Sequence, residues 1–313
     1  MYKRIAIIGL GGVGGYFGFK LNESNTDKKF NITFVARGIT HDIVKASGLT
    51  LHSPEHAHTN TRPDSVLQEI SALTQQDLIL ICVKAYDLEN VCQQLLDIVT
   101  DKTVLLPLMN GVDIYDRIRK VIMDGVVLPS CVYVASHMEE KGVIVHKGNT
   151  GKIILGRDPQ HLQENIDWVV DMLQNSGANI TFRDNPLTEI WTKFIFIASF
   201  GLVSARYNKS IGQLCETLLL KERAISIMEE IKAVAERKNV QLPHNIIELT
   251  FKKAETFPYH TPTSLQLDVH SGKRENELEL FAGAIIRYGI ETETDTSNTR
   301  AIYAEITEKL RLS

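Results

Sequence analysis

Short apolar runs alternate with helix-like stretches through the first half of the chain. The runs are rich in β-branched residues and are typical of strands buried on both faces. They cover residues 4–9, 31–36, 77–83, 103–108, 126–134 and 151–155. Helical stretches fit between them, notably over residues 14–22, 88–99 and 112–123. Because strands that alternate with helices form parallel sheets, the pattern predicts an α/β domain with a doubly wound, mostly parallel sheet.

The second half of the chain has a helical pattern. Apolar and charged positions recur at helical spacing over residues 186–207, 218–238, 245–253, 277–288 and 296–310. Asn185 is a suitable cap for the first of these helices, with Pro186 at its first position. We therefore predict an α/β domain over residues 1–184 and an all-helical domain over residues 185–313, and a length of 313 residues fits two domains.

Composition and charge exclude several classes of protein. Apolar residues make up 43% of the chain and charged residues 23%, which is ordinary for a globular protein. The formal net charge is −4 with no basic block, so the expected partner is a small molecule and not nucleic acid. The four cysteines have neither disulfide-framework nor metal spacing, which favours a cytoplasmic location. The apolar segment 194–205 is too short for a membrane span. The sequence leaves the oligomeric state open, and a homodimer is one possibility.

A glycine-rich turn follows the first predicted strand and opens the first predicted helix. Its sequence is Gly9-Leu10-Gly11-Gly12-Val13-Gly14. In this context the G-x-G-x-x-G pattern indicates a Rossmann-type domain, whose glycines let the backbone approach a dinucleotide pyrophosphate. Arg37 follows the second predicted strand, where an acidic residue would favour NAD. Because arginine can pair with a 2′-phosphate, we predict NADP(H), with a plain surface arginine as the alternative.

Further short motifs, each different, follow one another along nearly the whole chain. They lie at residues 35–38, 83–85, 109–111, 145–156, 190–193, 263–268 and 277–283. Together with the glycine turn, they resemble the ketopantoate reductase (2-dehydropantoate 2-reductase) family, related to 6-phosphogluconate-dehydrogenase-like enzymes. The resemblance implies an oxidoreductase that reduces 2-dehydropantoate to pantoate with NADPH, in pantothenate and coenzyme A biosynthesis.

The resemblance assigns the general acid to Lys193 and an acidic partner to Glu277. Lys193 stands in an apolar stretch, where a charge needs a partner or water, and the alternative is a lysine that reaches the surface. An ammonium group can stabilise an emerging alkoxide and then donate a proton to it. Counting from Asp268 places the family glutamate at Asn276, whereas counting back from Gly283 places it at Glu277. We favour Glu277 and leave Asn276 open.

The resemblance also implies residues that bind the substrate and the cofactor. Asn110 and Lys84 follow predicted strands and are expected to contact both, the alternatives being a turn asparagine and an exposed lysine. Ser264 matches the serine that binds the substrate carboxylate, although a hydroxyl at a helix start can instead be a cap. No metal is expected, and His52, His56 and His58 are interpreted as parts of a solvated loop.

Two departures from the family pattern concern the substrate. Family members carry asparagines one and two helical turns after the lysine, where this chain has Ile197 and Gly201. Ser204 returns to the lysine face of the helix and is expected to replace part of the lost polarity. The result is a more apolar pocket. Reduction of a different 2-keto acid, a hydroxyacid dehydrogenase and a non-catalytic NADP-binding paralogue therefore stay as alternatives.

Overall fold

A computed structural model describes residues 2–55, 59–271 and 275–312. The chain forms two compact units. Met1–Asn110 and Ile114–Pro186 make up the first, and Gly111–Asp113 and Leu187–Ser313 make up the second. The main division falls after Pro186, close to the position placed in the sequence at residue 184.

The first unit contains most of the strands. In chain order its elements are β1 (Lys3–Ile8), α1 (Gly12–Ser24), β2 (Phe30–Val35), α2 (Gly38–Ser47), β3 (Leu49–His52), β4 (Thr59–Thr61), β5 (Ser65–Leu67), a 3₁₀ turn (Ile70–Ala72), β6 (Leu78–Ile81), α3 (Leu88–Leu95), β7 (Val104–Pro107), α4 (Ile114–Arg119), β8 (Val126–Val127), β9 (Ser130–Glu140), β10 (Val143–Gly156), α5 (Asp167–Asn175) and β11 (Asn179–Arg183).

Six parallel strands form the first sheet, in the order β5-β2-β1-β6-β7-β8. This is the order of dinucleotide-binding folds, and the direction of winding changes between β1 and β6. All four residues of β6 and all four of β7 are buried, as expected for strands in the interior of a parallel sheet. The predicted fold class is confirmed.

The second sheet was not predicted. It has five strands, in the order β11-β10-β3-β4, with β9 paired antiparallel to β10. We had predicted a single strand over residues 126–134, and this prediction is wrong. The chain leaves the first sheet after β8, passes through Pro129, which cannot donate a backbone hydrogen bond, and enters the second sheet as β9. The run predicted at 151–155 is the last part of the fourteen-residue strand β10.

Helix α1 lies between the two sheets and brings their apolar faces into one core. It contacts β1 of the first sheet and β3, β4, β9 and β10 of the second. Phe17 of α1, Phe34 of β2 and Ile144 of β10 are all buried in that core. The beginning of α1, which carries the glycine turn, is therefore held from two sides.

The second unit is helical. Its elements are α6 (Leu187–Tyr207), α7 (Ile211–Glu216), α8 (Leu218–Arg237), α9 (Ile246–Ala254), α10 (Ser264–His270), a π-helical turn (Glu279–Gly283), α11 (Ala284–Glu291) and α12 (Ser297–Leu312). Helix α6 contacts α7, α8, α9, α10, α12 and the π-helical turn. Among the described residues it is the one helix long and apolar enough to span a membrane, yet 61% of its most apolar window is buried, as in a core helix.

Candidate active site

Four neighbouring strands of the parallel sheet end in register. Ile8 pairs with Val35 on one side and with Ile81 on the other, and Ile81 pairs with Pro107. These residues are the last of β1, β2, β6 and β7. The loops that follow therefore leave the sheet at one edge, beside the change in winding direction, where open α/β sheets bind their ligands.

The residues predicted for the first unit lie in those loops. They are the glycine turn after β1, Arg37 after β2, Lys84 after β6 and Asn110 after β7. Lys84 is exposed and Asn110 is half-buried. The sheet thus brings together, at one edge, groups that are far apart in the sequence.

Three glycines of the turn are required by packing, and a Cβ atom on Gly12 would lie 2.3 Å from the carbonyl oxygen of Ser136 in β9. Gly9 has φ +91°, and a Cβ atom built on it would lie 2.7 Å from the carbonyl oxygen of Cys82. A Cβ atom on Gly14 would lie 1.9 Å from the carbonyl oxygen of Gly9 and 2.7 Å from Cβ of Cys82. Larger residues at these positions would push the turn and α1 away from the sheet.

The middle of the turn is open on one side. A Cβ atom on Gly11 would meet no atom within 4 Å, so its backbone can be approached closely. Helix α1 begins after Gly11 and has no acidic side chain in its first turn, which suits an anion at its amino end. The side chains of Leu10 and Val13 pack into the core, which leaves their backbone amides as the groups able to contact a cofactor. These features fit a dinucleotide.

Arg37 lies at the start of α2 with its side chain 71% exposed. Its guanidinium donates a hydrogen bond from Nη2 to Oδ2 of Asp87, at 2.8 Å. The sequence analysis missed Asp87. The only signal available there was a carboxylate shortly after the strand that precedes Lys84, fifty positions from Arg37.

In the helical unit, Lys193 lies half-buried on α6. Glu277 is 6% exposed and lies just before the π-helical turn. The side-chain oxygen of Asn276 accepts a hydrogen bond from the backbone amide of Leu278, at 3.0 Å. Asn276 therefore forms a local turn just ahead of the helical segment, while Glu277 is the buried carboxylate.

The serines differ in their surroundings. Ser264 is exposed and is the first residue of α10, so the suggestion that it caps the helix is wrong. The cap is Thr263, whose hydroxyl accepts from the backbone amide of Gln266. Ser204 is fully buried, and its hydroxyl has no hydrogen-bond partner among the described residues. A direct contact of Ser204 with substrate would require the surrounding helices to move.

Position 201 lies where α6 approaches the beginning of α10. A Cβ atom on Gly201 would lie 3.7 Å from Cβ of Leu265, which is an ordinary contact distance. A methyl group therefore fits at this buried position without a forced shift of the backbone. Ile197, one turn earlier on α6, is half-buried.

Only part of the histidine segment lies in the described part of the chain. No cluster of three or more histidine, cysteine, aspartate or glutamate side chains able to hold a metal occurs there. His56 and His58 lie outside the described residues. His52 is the last residue of β3 and is half-buried, so its assignment to a solvated loop was wrong.

Comparisons with known proteins agree with this arrangement. Residues 5–160 match the family model of ketopantoate reductase PanE/ApbA, and residues 185–310 match the model of its C-terminal part. The chain is 24% identical over 322 residues to 2-dehydropantoate 2-reductase of Mesorhizobium japonicum, covering 96% of each chain.

Solved structures share the fold. The crystal structure of a PanE/ApbA family ketopantoate reductase from Ralstonia eutropha JMP134 matches with a TM-score of 0.88, 25% identity and 99% coverage of both chains. D-mandelate dehydrogenase, in a ternary structure with NADH and anilino(oxo)acetate, matches with a TM-score of 0.85, 21% identity and 99% coverage of both chains. With family models matching both of its units, the chain belongs to the ketopantoate reductase family of oxidoreductases.

Proposed function

We propose that this protein is an NADPH-dependent reductase of a branched 2-keto acid, with 2-dehydropantoate as the first candidate. One observation carries the proposal. At the edge of the parallel sheet, Gly11 and Arg37 lie in the loops after two neighbouring strands, the first with its backbone open to a ligand and the second with its guanidinium exposed. We propose 2-dehydropantoate as the substrate because the relative from Mesorhizobium japonicum is a 2-dehydropantoate 2-reductase. Reduction of 2-dehydropantoate to pantoate would place the protein in pantothenate biosynthesis.

The chain's own residues have separate tasks in this proposal. The bound nicotinamide supplies the hydride. The Lys193 ammonium stabilises the negative charge that develops on the keto oxygen and then gives that oxygen a proton. Because Lys193 is half-buried, its charge is less screened than in water and acts more strongly on a nearby oxygen. The exposed hydroxyl of Ser264 donates to the substrate carboxylate, and Asn110 orients the substrate and the nicotinamide.

Glu277 is the acidic partner in this proposal. Its carboxylate is buried, whereas the side-chain oxygen of Asn276 accepts from the backbone amide of Leu278. A buried carboxylate can accept a hydrogen bond from a substrate hydroxyl with little competition from water.

A second candidate substrate is a 2-keto acid without a hydroxyl group on its branch. Gly201 and Ile197 offer no hydrogen-bonding side chain on the face of α6 that follows Lys193. The structural similarity to D-mandelate dehydrogenase also supports this alternative. Both candidates use the same cofactor and the same proton donor.

A substrate panel tests the proposal. Oxidation of NADPH is followed by absorbance with purified protein and 2-dehydropantoate, 2-oxoisovalerate, 4-methyl-2-oxopentanoate or phenylglyoxylate. Turnover of 2-dehydropantoate above the others supports the first candidate, and turnover of another acid alone supports the second. If no acid is reduced while NADPH binds tightly, the protein is a non-catalytic NADP-binding paralogue.

The substitution Gly201→Asn tests the origin of the substrate preference. The amide adds a donor, so we expect kcat/KM for 2-dehydropantoate relative to 2-oxoisovalerate to rise by about 3- to 10-fold, the effect of one hydrogen bond. Gly201→Ala is the matched control, because its Cβ fits at 3.7 Å from Leu265 and adds no donor. An unchanged ratio in Gly201→Asn would show that position 201 does not face the substrate.

The substitution Arg37→Ala tests the choice of cofactor. Loss of the guanidinium should raise the Kd of NADPH by about 30-fold and that of NADH by less than about 3-fold, because only NADPH carries the 2′-phosphate. Isothermal titration calorimetry with both cofactors measures this difference. An equal loss for both would contradict a 2′-phosphate role for Arg37.

A further inference from the structure

The pair formed by Arg37 and Asp87 spans the glycine turn. Arg37 follows β2 and Asp87 follows β6, and these two strands flank β1 on its two sides. The donor Nη2 lies 2.8 Å from Oδ2. A cofactor bound along the turn after β1 therefore encounters both the positive charge of Arg37 and the negative charge of Asp87.

Asp87 does not use its carboxylate for its own helix. It occupies the cap position of α3, yet its side chain makes no capping hydrogen bond with that helix. Aspartate at this position usually accepts from a backbone amide of the first turn. Here the carboxylate is turned to Arg37 instead and keeps 25% of its side chain exposed. A ligand at the surface can therefore reach it.

The 2′-phosphate of NADPH and the 2′-hydroxyl of NADH interact differently with the pair formed by Arg37 and Asp87. The 2′-phosphate of NADPH is attracted by Arg37 and repelled by Asp87, so the carboxylate cancels part of the attraction. The 2′-hydroxyl of NADH carries no charge and can donate a hydrogen bond to a carboxylate, as in NAD-preferring sites. Arg37 has five N–H donors and can bind Asp87 and a phosphate together.

We propose that Asp87 sets the ratio of NADPH to NADH affinity in this protein by weakening binding of the 2′-phosphate and accepting the 2′-hydroxyl. The inference rests on the proposed function, since it takes the edge of the sheet as the cofactor site. It makes Asp87 a specificity-determining residue for the cofactor. Removal of its charge should therefore lower the Kd of NADPH and raise the Kd of NADH.

The test is the substitution Asp87→Asn, which removes the charge and keeps an oxygen for Arg37. Calorimetry should show the Kd of NADPH falling by about 5- to 10-fold at low salt, since the 2′-phosphate loses a nearby negative charge. The Kd of NADH should rise by about 3-fold as the charged acceptor is lost. At about 0.5 M salt the gain for NADPH should shrink, because the Debye length falls to a few ångström.

Glu89→Gln is the matched control. Glu89 is exposed and lies two residues further along, in the first turn of α3, so its replacement removes the same charge nearby. Both cofactors should bind this variant within about twofold of the wild type, because water around the exposed carboxylate of Glu89 weakens its interaction with a phosphate. An equal gain of NADPH affinity in Glu89→Gln would overturn the role of Asp87.

The remaining outcomes separate this inference from the proposed function. An NADPH Kd within twofold of the wild type in Asp87→Asn overturns the inference, as does equal tightening of both cofactors. If Arg37→Ala weakens NADPH while Asp87→Asn has no effect, the inference alone is wrong. If neither variant changes NADPH binding, the assignment of the cofactor site is wrong as well. Asp87→Ser gives the same comparison if Asp87→Asn does not fold.

Discussion

Replacement of Lys193 by alanine should lower kcat by at least about 100-fold, the usual contribution of a general acid. The ammonium group is the proposed proton donor, and alanine can neither stabilise the alkoxide nor protonate it. The Kd of NADPH should stay unchanged, because the groups proposed to hold the cofactor phosphates belong to the other unit. Steady-state kinetics and calorimetry measure the two quantities separately.

A surface lysine provides the control for Lys193. Lys252 is 62% exposed on α9, where it pairs with Glu248, and Lys252→Ala should keep kcat within about twofold of the wild type. Added primary amines should restore part of the activity of Lys193→Ala if the missing group is a proton donor. Turnover of Lys193→Ala at the wild-type rate would remove this lysine from the mechanism.

Replacement of Gly14 by alanine should destabilise the fold by about 2–4 kcal/mol, although glycine to alanine within a helix usually stabilises by up to about 1 kcal/mol. The sign reverses because the added Cβ would lie 1.9 Å from the carbonyl oxygen of Gly9, a backbone atom that cannot move alone. Denaturant unfolding measures the change. A variant as stable as the wild type would show that the turn and α1 can separate without cost.

Gly11→Ala is the partner experiment. Gly11 has φ −71°, and an added Cβ meets nothing within 4 Å, so the loss of stability should stay below about 1 kcal/mol, the preference of a cap position for glycine over alanine. The Cβ would occupy the open side of the turn, and the Kd of NADPH should rise by about 10-fold or more, since the pyrophosphate approaches the backbone there. Normal NADPH binding by this variant would exclude the open side of Gly11 as the approach of the cofactor.

The sequence predicted those parts of the fold whose signal lies within one continuous segment of the chain. The strands β1, β2, β6 and β7 are apolar runs with turn residues at their ends, and α6 and α8 carry long helical patterns. All of these elements lie within a few residues of their predicted positions. The glycine turn was also recognisable, because its function depends on the spacing of glycines along one short segment.

The second sheet, which mixes parallel and antiparallel pairs, was missed because most of its strands are half-exposed. Only the first three residues of β9 are all buried; beyond them exposed and half-buried residues alternate, so no continuous apolar run marks the rest of the strand. Its pairing with β10 is also decided by register between segments, which no single segment encodes. The π-helical turn before α11 was interpreted as ordinary helix, because its apolar spacing is close to that of an α-helix.

The candidate site shows the same division. The identities of Lys193, Arg37 and the glycines were available from the sequence, since each stands beside a recognisable local pattern. The partner of Arg37 was not, because Asp87 is fifty positions away and becomes its neighbour only when β2 and β6 pair with β1.

The sequence by itself determined the α/β class, the helical second half and the nucleotide-binding turn, because local propensity and apolar spacing act over a few residues. The tertiary structure alone decided which carboxylate neutralises Arg37 and that Ser204 is buried away from solvent. These features depend on contacts between segments that the chain separates. Charge balance and exposure at the candidate site therefore follow from packing, and not from the order of residues alone.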